Sequence, residues 1–101
     1  MFQLIDFIHV HGNKKSHNVK LYALSTCGFC KRALAFLREN SIDFLYTFVD
    51  KLEKKVVGDL REELMKKSDS QHVAYPFLIS DDEKFLVGFD EEEYKAFFNI
   101  E

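Results

Sequence analysis

The sequence predicts an α/β fold: a mixed sheet of about four strands flanked by three helices, with an extra strand at the N-terminus. Three observations carry this. From Val19 onward, apolar runs of strand character alternate with runs at helical spacing in the order β-α-β-α-β-β-α. The first β-α-β unit demands parallel strands and a right-handed crossover, and the two strands before the last helix form a hairpin. Composition permits a core: 47% of the 101 residues are apolar and 15% aromatic, while 4 Gly and 1 Pro argue against a linker-like or turn-dense all-β chain.

Taken in order, Phe2 to Val10 is a largely apolar run bounded by Gly12-Asn13, which reads as the extra strand. Asn13 to His17 is polar and basic, a loop. Val19 to Leu24 is apolar at nearly every position, as in a strand buried on both faces. Ser25 and Thr26 are N-terminal capping types ahead of a helix whose apolar face is Phe29, Ala33, Phe36 and Leu37, with Arg38 and Asn40 suiting its C-terminal end. Phe44 to Val49 is the next strand. Leu52, Val56, Val57, Leu60 and Leu64 repeat at helical spacing among Lys and Glu, an amphipathic helix that ends at Lys66-Lys67. Pro76 to Ser80 and Lys84 to Val87 flank Asp81-Asp82-Glu83 as a hairpin. Asp90 caps the last helix, with Glu91 to Glu93 in its first turn and Tyr94, Phe97 and Phe98 as its apolar face.

The same arithmetic excludes several function classes. Fourteen basic against 17 acidic residues give a net charge of −3, with nothing to draw the chain to nucleic acid or an anionic membrane. No run approaches the roughly 18 apolar residues of a membrane helix, and Asp6 interrupts the apolar start, so no targeting segment is read. The length is that of one small domain, and the cytoplasm is the default compartment, where thiols stay reduced unless they work.

The chemistry therefore turns on 2 cysteines spaced three apart, Cys27-Gly28-Phe29-Cys30, at a strand-to-helix junction. Unpaired N–H groups and the dipole at a helix start favour negative charge there, and the thiolate is the reactive form of cysteine. Position i+3 lies one turn away, within reach of a mixed disulfide on the first sulfur. Lys31 and Arg32 add positive charge nearby.

The segment Lys20-Leu21-Tyr22-Ala23-Leu24-Ser25-Thr26-Cys27-Gly28-Phe29-Cys30-Lys31-Arg32-Ala33 resembles the start of a glutaredoxin. Tyr75-Pro76 stands where that family carries a cis-proline beside its active site, and Val87-Gly88-Phe89-Asp90 stands where it has a glycine and acidic residues before the last helix. The resemblance runs from Val19 to the C-terminus. It implies a thioredoxin-like fold with residues 19–101 as its core and 1–18 as an extension. It implies a thiol–disulfide oxidoreductase in which Cys27 attacks, Cys30 resolves, cis-Pro76 keeps space beside the sulfurs, and the Tyr75 backbone pairs with an extended substrate. Thr26, Phe29, Gly88, Phe89 and Asp90 would surround the bound thiol. The implied partners are a disulfide-bearing protein or small thiol and an electron donor, either glutathione or a reductase of the thioredoxin-reductase type. A monomer with no resident metal or organic cofactor is expected.

This sequence departs from the family pattern at Leu24, where many members have Lys, at Tyr75 in place of Val, and at Val87-Gly88-Phe89, where two adjacent glycines are usual. These differences bring it closer to redoxins whose electrons come from a flavoprotein reductase or another small thiol. The competing class is an iron–sulfur or metal carrier using Cys27, since Cys-Gly-Phe-Cys is also similar to the Cys-Gly-Phe-Ser of cluster-holding monothiol glutaredoxins. A zinc site joining the cysteines to His9, His11, His17 or His72 is conceivable, but these histidines do not follow the cysteines at finger spacing. A solvated hairpin accounts for the first three, and His72 reads as a loop residue near the site.

Overall fold

A computed structural model describes residues 5–69, 73–81 and 83–100. Its elements are β1 (Ile8–Val10), β2 (Lys14–Ala23), α1 (Gly28–Glu39), β3 (Ile42–Phe48), α2 (Lys54–Ser68), β4 (Phe77–Ser80), β5 (Lys84–Val87) and α3 (Glu91–Phe97). The sheet runs β1-β3-β2-β4-β5, with β2 and β3 parallel and the other neighbours antiparallel. This is the thioredoxin-like arrangement the sequence led us to expect, and the extra N-terminal strand lies at the sheet edge against β3.

Alternation along the central strands builds two cores. Val19 and Leu21 of β2 and Leu78 of β4 face one side, where Ala33, Leu34, Phe36 and Leu37 of α1 and Tyr94 of α3 cover them. Tyr22, Phe77 and Ile79 face the other side, under Val56, Leu60 and Leu64 of α2. Each of these strand residues is at most 3% exposed, as a strand buried on both faces requires.

Four local expectations change. The N-terminal strand is shorter than Phe2 to Val10. Ile5 is instead buried in the α2-side core, Phe7 packs edge-on against Tyr22, and Phe2 to Leu4 lie outside the described residues. The predicted loop at Asn13 to His17 is mostly strand. β2 starts at Lys14, pairs with Ile42, and shifts register before Val19 pairs with Phe44. Lys14, Lys15 and His17 are solvent-exposed, so no apolar periodicity marks this part of the strand. Val49 belongs to a 3₁₀ turn, Val49–Lys51, and Leu52 precedes α2 as a half-buried loop residue. The buried stripe of α1 is Cys30, Ala33, Leu34, Phe36 and Leu37, starting one residue later than Phe29.

The predicted end signals hold. Asn40 closes α1, its Nδ2 donating to the Phe36 carbonyl at 2.9 Å. Lys66 and Lys67 occupy the last turn of α2. Asp90 caps α3 by accepting from the Glu92 and Glu93 N–H groups at 2.9 and 3.3 Å. In the β4–β5 hairpin Asp81 adopts φ 55°, while Asp82 lies outside the described residues. No helix among the described residues is long and apolar enough to cross a membrane.

Candidate active site

The loop Leu24-Ser25-Thr26 leaves the C-terminal end of β2 and turns directly into α1. The Cys27 N–H bonds the Leu24 carbonyl at 3.3 Å and closes the turn. Cys27, rather than Ser25 or Thr26, is the N-cap of α1, with extended backbone (φ −95°, ψ 119°). Its sulfur takes the acceptor place that a hydroxyl or carboxylate usually fills, receiving the Cys30 N–H at 3.2 Å. Ser25 has other work: its N–H donates to Asp50 Oδ1 at 2.8 Å and its hydroxyl to Asp50 Oδ2. Those bonds hold the Asp50 carboxyl below its ordinary range.

Cys27 is partly exposed and Cys30 is fully buried. The Leu24 N–H donates to the Cys30 sulfur at 3.4 Å. Burial first, and then its hydrogen bond to Cys27, push the Cys30 thiol up to about 12. Negative charge on Cys27 and on Asp50 acts the same way, against the lowering effect of the Leu24 N–H. The sulfur that stays protonated in the reduced pair is therefore Cys30.

The second wall of the site is the segment before β4. The Tyr75–Pro76 peptide is cis, as the resemblance implies, and Pro76 is buried. The Tyr75 carbonyl lies 3.9 Å from the Cys27 sulfur. Burial raises the Tyr75 phenol, with Arg61 opposing. Behind it, the Gly88 N–H donates to the Pro76 carbonyl at 2.8 Å, and the Tyr94 hydroxyl donates to the Gly88 carbonyl at 3.1 Å. Gly88 has φ +81°, a backbone that only glycine adopts freely.

The structure thus brings Cys27, Cys30, Tyr75 and Pro76 together, with Gly88 locked behind Pro76. Thr26 is exposed beside Cys27, and Phe29 is 57% exposed on the first turn with the Arg32 guanidinium 5.5 Å from its ring. Lys31 and Arg32 are exposed. Phe89 and Asp90 also have structural partners: Phe89 packs on Phe36 and Tyr94, centroids 6.0 and 4.8 Å away, and one oxygen of the exposed Asp90 carboxylate caps α3. Lys20 places its ammonium 5.5 Å from the Phe7 ring. His9 and His11 cluster with Asp43 and with no cysteine among the described residues; His17 pairs with Asp81 at 3.0 Å, and His72 lies outside them.

Sequence reasoning missed Asp50, Lys54 and Arg61. The signal for Asp50 was the parallel β2–β3 register: Ala23 pairs with Phe48, so the same offset sets Ser25 beside Asp50. Lys54 and Arg61 line a groove of about 330 Å³ with Leu24, Asp50, Leu52 and Tyr75. Their spacing of two helical turns places both on one side of α2. A larger cleft of about 540 Å³, lined by Asp6, Ile8, Thr47 and Glu53 among others, holds neither thiol nor imidazole.

The comparisons with known proteins agree with this geometry. The family model for glutaredoxin matches residues 19–84. The glutaredoxin of Methanosarcina mazei Go1 superposes with a TM-score of 0.80 at 36% identity, covering 99% of this chain and 95% of that one. Methanoredoxin of Methanosarcina acetivorans gives a TM-score of 0.74 at 30% identity, over 92% and 94% of the two chains. A glutaredoxin-like 8.6 kDa protein in the rubredoxin operon of Clostridium pasteurianum is 29% identical over 75 residues, 74% of this chain and 89% of the relative. A dithiol at a helix start facing a cis-proline, on a fold shared along nearly the whole chain with a solved glutaredoxin, places this chain in the glutaredoxin family.

Proposed function

We propose that the protein is a thiol–disulfide oxidoreductase working through Cys27 and Cys30. The observation that carries this reading is the asymmetry of the pair. Cys27 is partly exposed at the helix start with the Cys30 N–H aimed at its sulfur, whereas Cys30 is fully buried and held as a thiol. An N–H donor and a helix N-terminus stabilise negative charge on the attacking sulfur.

In the first step the Cys27 thiolate attacks one sulfur of a substrate disulfide. A Cys27–substrate S–S bond forms, the substrate S–S bond breaks, and the departing thiolate takes a proton from water. Cys27 can then no longer carry charge, nor accept the Cys30 proton as a thiolate. Two of the causes that hold Cys30 protonated are lost at the moment it must ionise. Cys30 gives up its proton and attacks the Cys27 sulfur, expelling the second substrate thiolate. Two electrons pass to the substrate, and Cys27–Cys30 remains as a disulfide. The Tyr75 carbonyl, close to the Cys27 sulfur, is positioned to receive an N–H of an extended substrate chain.

An external dithiol or two thiols must restore the reduced pair. Lys54 and Arg61 in the groove beside Tyr75 suit a donor that carries carboxylates, of which glutathione is one. A flavoprotein reductase of the thioredoxin-reductase type is the other donor. We place the protein in the cytoplasm as a monomer. The test is NADPH consumption by the oxidised protein with a disulfide substrate, offered glutathione plus its reductase or, separately, thioredoxin reductase. Turnover that needs the protein and disappears in Cys27→Ser supports the reading. No turnover with either donor refutes it.

A further inference from the structure

We propose that His9, His11 and Asp43 form a binding site for a divalent cation of the zinc class, separate from the cysteine pair. The strand register builds the site. His9 pairs with Leu45 across the β1–β3 ladder, and Val10 pairs with Phe44, so His11 follows opposite Asp43. His9 and His11, two apart, share a face with their cross-strand neighbours Leu45 and Asp43. One donor atom from each of His9, His11 and Asp43 falls within 4.8 Å of the others. The two imidazole centroids are 4.0 Å apart.

The donor set and its support fit such an ion. Two imidazoles and one carboxylate suit zinc and its first-row neighbours rather than magnesium or calcium, which take oxygen ligands. Zinc bonds of about 2.0–2.1 Å in a tetrahedron separate ligand atoms by about 3.4 Å. The present spacing closes to that by small side-chain rotations, which the exposure of both histidines allows. Asp43 is already oriented: Oδ1 accepts the Gly12 N–H at 3.1 Å, while Oδ2 faces His9 Nε2 at 2.9 Å. A backbone donor fixing one carboxylate oxygen is the kind of outer support that metal ligands carry. Only glycine fits at position 12, where a Cβ would meet the Ser41 carbonyl oxygen at 2.4 Å. Three protein ligands leave a fourth position open to water.

The ion would lie away from the reacting sulfurs. Asp43 is five residues from Phe48, which pairs with Ala23 at the cysteine end of the sheet, about 17 Å along the strand. It would clasp the three-residue edge strand to β3. Both histidines lie ahead of the residues 19–84 that the glutaredoxin model matches, so the clasp gives the N-terminal segment a role of its own.

The test is calorimetric titration of Zn²⁺ into the full chain carrying Cys27→Ser and Cys30→Ser, which removes thiol ligands, with circular dichroism confirming the fold. The wild-type chain oxidised to its Cys27–Cys30 disulfide serves as a second, unmutated sample. One Zn²⁺ per chain, perturbed imidazole resonances of His9 and His11, and no response to Mg²⁺ are expected. His11→Asn leaves the Asp43 bonds to Gly12 and His9 in place and should lower the affinity at least tenfold. Absence of stoichiometric binding in both samples, or unchanged affinity in His9→Asn and His11→Asn alike, overturns the proposal.

Discussion

Iodoacetamide added to the reduced protein at pH 7 should separate the two sulfurs by rate. Alkylation consumes the thiolate, so the rate follows the ionised fraction and access to the sulfur. An ordinary cysteine, ionising near 8.5, is about 3% thiolate at pH 7. With its thiol pushed up to about 12, Cys30 is only about 0.001% thiolate, about 3,000-fold less than an ordinary cysteine. Its complete burial slows it further, while Cys27 is partly open to reagent. Fragmentation mass spectrometry of the peptide holding both residues should therefore find label on Cys27 before any on Cys30. In Cys27→Ser the negative charge at position 27 disappears, but burial, the largest cause, remains. Cys30 there should react faster than in the native protein and still far more slowly than in the unfolded chain. Equal rates for the two sulfurs in the native protein, or a faster Cys30, would show that burial does not keep Cys30 as the thiol.

Three further outcomes follow from individual residues. Gly88→Ala should lower stability by about 1–2 kcal/mol, since φ +81° penalises a Cβ that otherwise meets nothing within 4 Å; thermal melting should fall by several degrees. The Asn18 N–H and then His17 hold the Asp81 carboxyl below its usual range. A lowered folded-state value contributes stability present above about pH 4 and lost as pH falls through that value. Melting curves against pH should accordingly show a flatter acid limb for Asp81→Asn, and an unchanged limb would contradict this. Arg61→Glu should raise KM several-fold for a carboxylate-bearing thiol donor at low salt with kcat unchanged, and added salt should narrow the difference; an equal KM would remove Arg61 from donor binding.

What the sequence disclosed followed from burial. Val19 to Ala23, the α2 stripe Val56, Leu60 and Leu64, and the Asp90 cap were legible because two-sided burial, helical spacing and capping chemistry each leave a local pattern. The first half of β2 was not, because Lys14, Lys15 and His17 lie in the strand but are solvent-exposed, so no apolar periodicity marks them. Cysteines 27 and 30 were readable as a pair. Their unequal settings came from the structure: Cys27, not Ser25 or Thr26, caps α1, and Cys30, not Phe29, heads the buried stripe. The anchoring of Ser25 by Asp50 and the groove cations on α2 depend on contacts between elements, and local patterning is silent about those. At Phe89 and Asp90 the motif's side chains also serve the core and a helix cap.

The central claim is that Cys27 attacks and Cys30 resolves, and trapping tests it most directly. Cys30→Ser, incubated with a disulfide substrate and quenched in acid, should accumulate a mixed disulfide on Cys27, read as a mass increase of one substrate half. The wild-type protein in the same reaction should pass on to the internal Cys27–Cys30 disulfide with no adduct remaining, and Cys27→Ser should form none. A Cys30→Ser protein that is folded yet acquires no adduct, or a Cys27→Ser protein that acquires one on Cys30 as readily, would contradict the account.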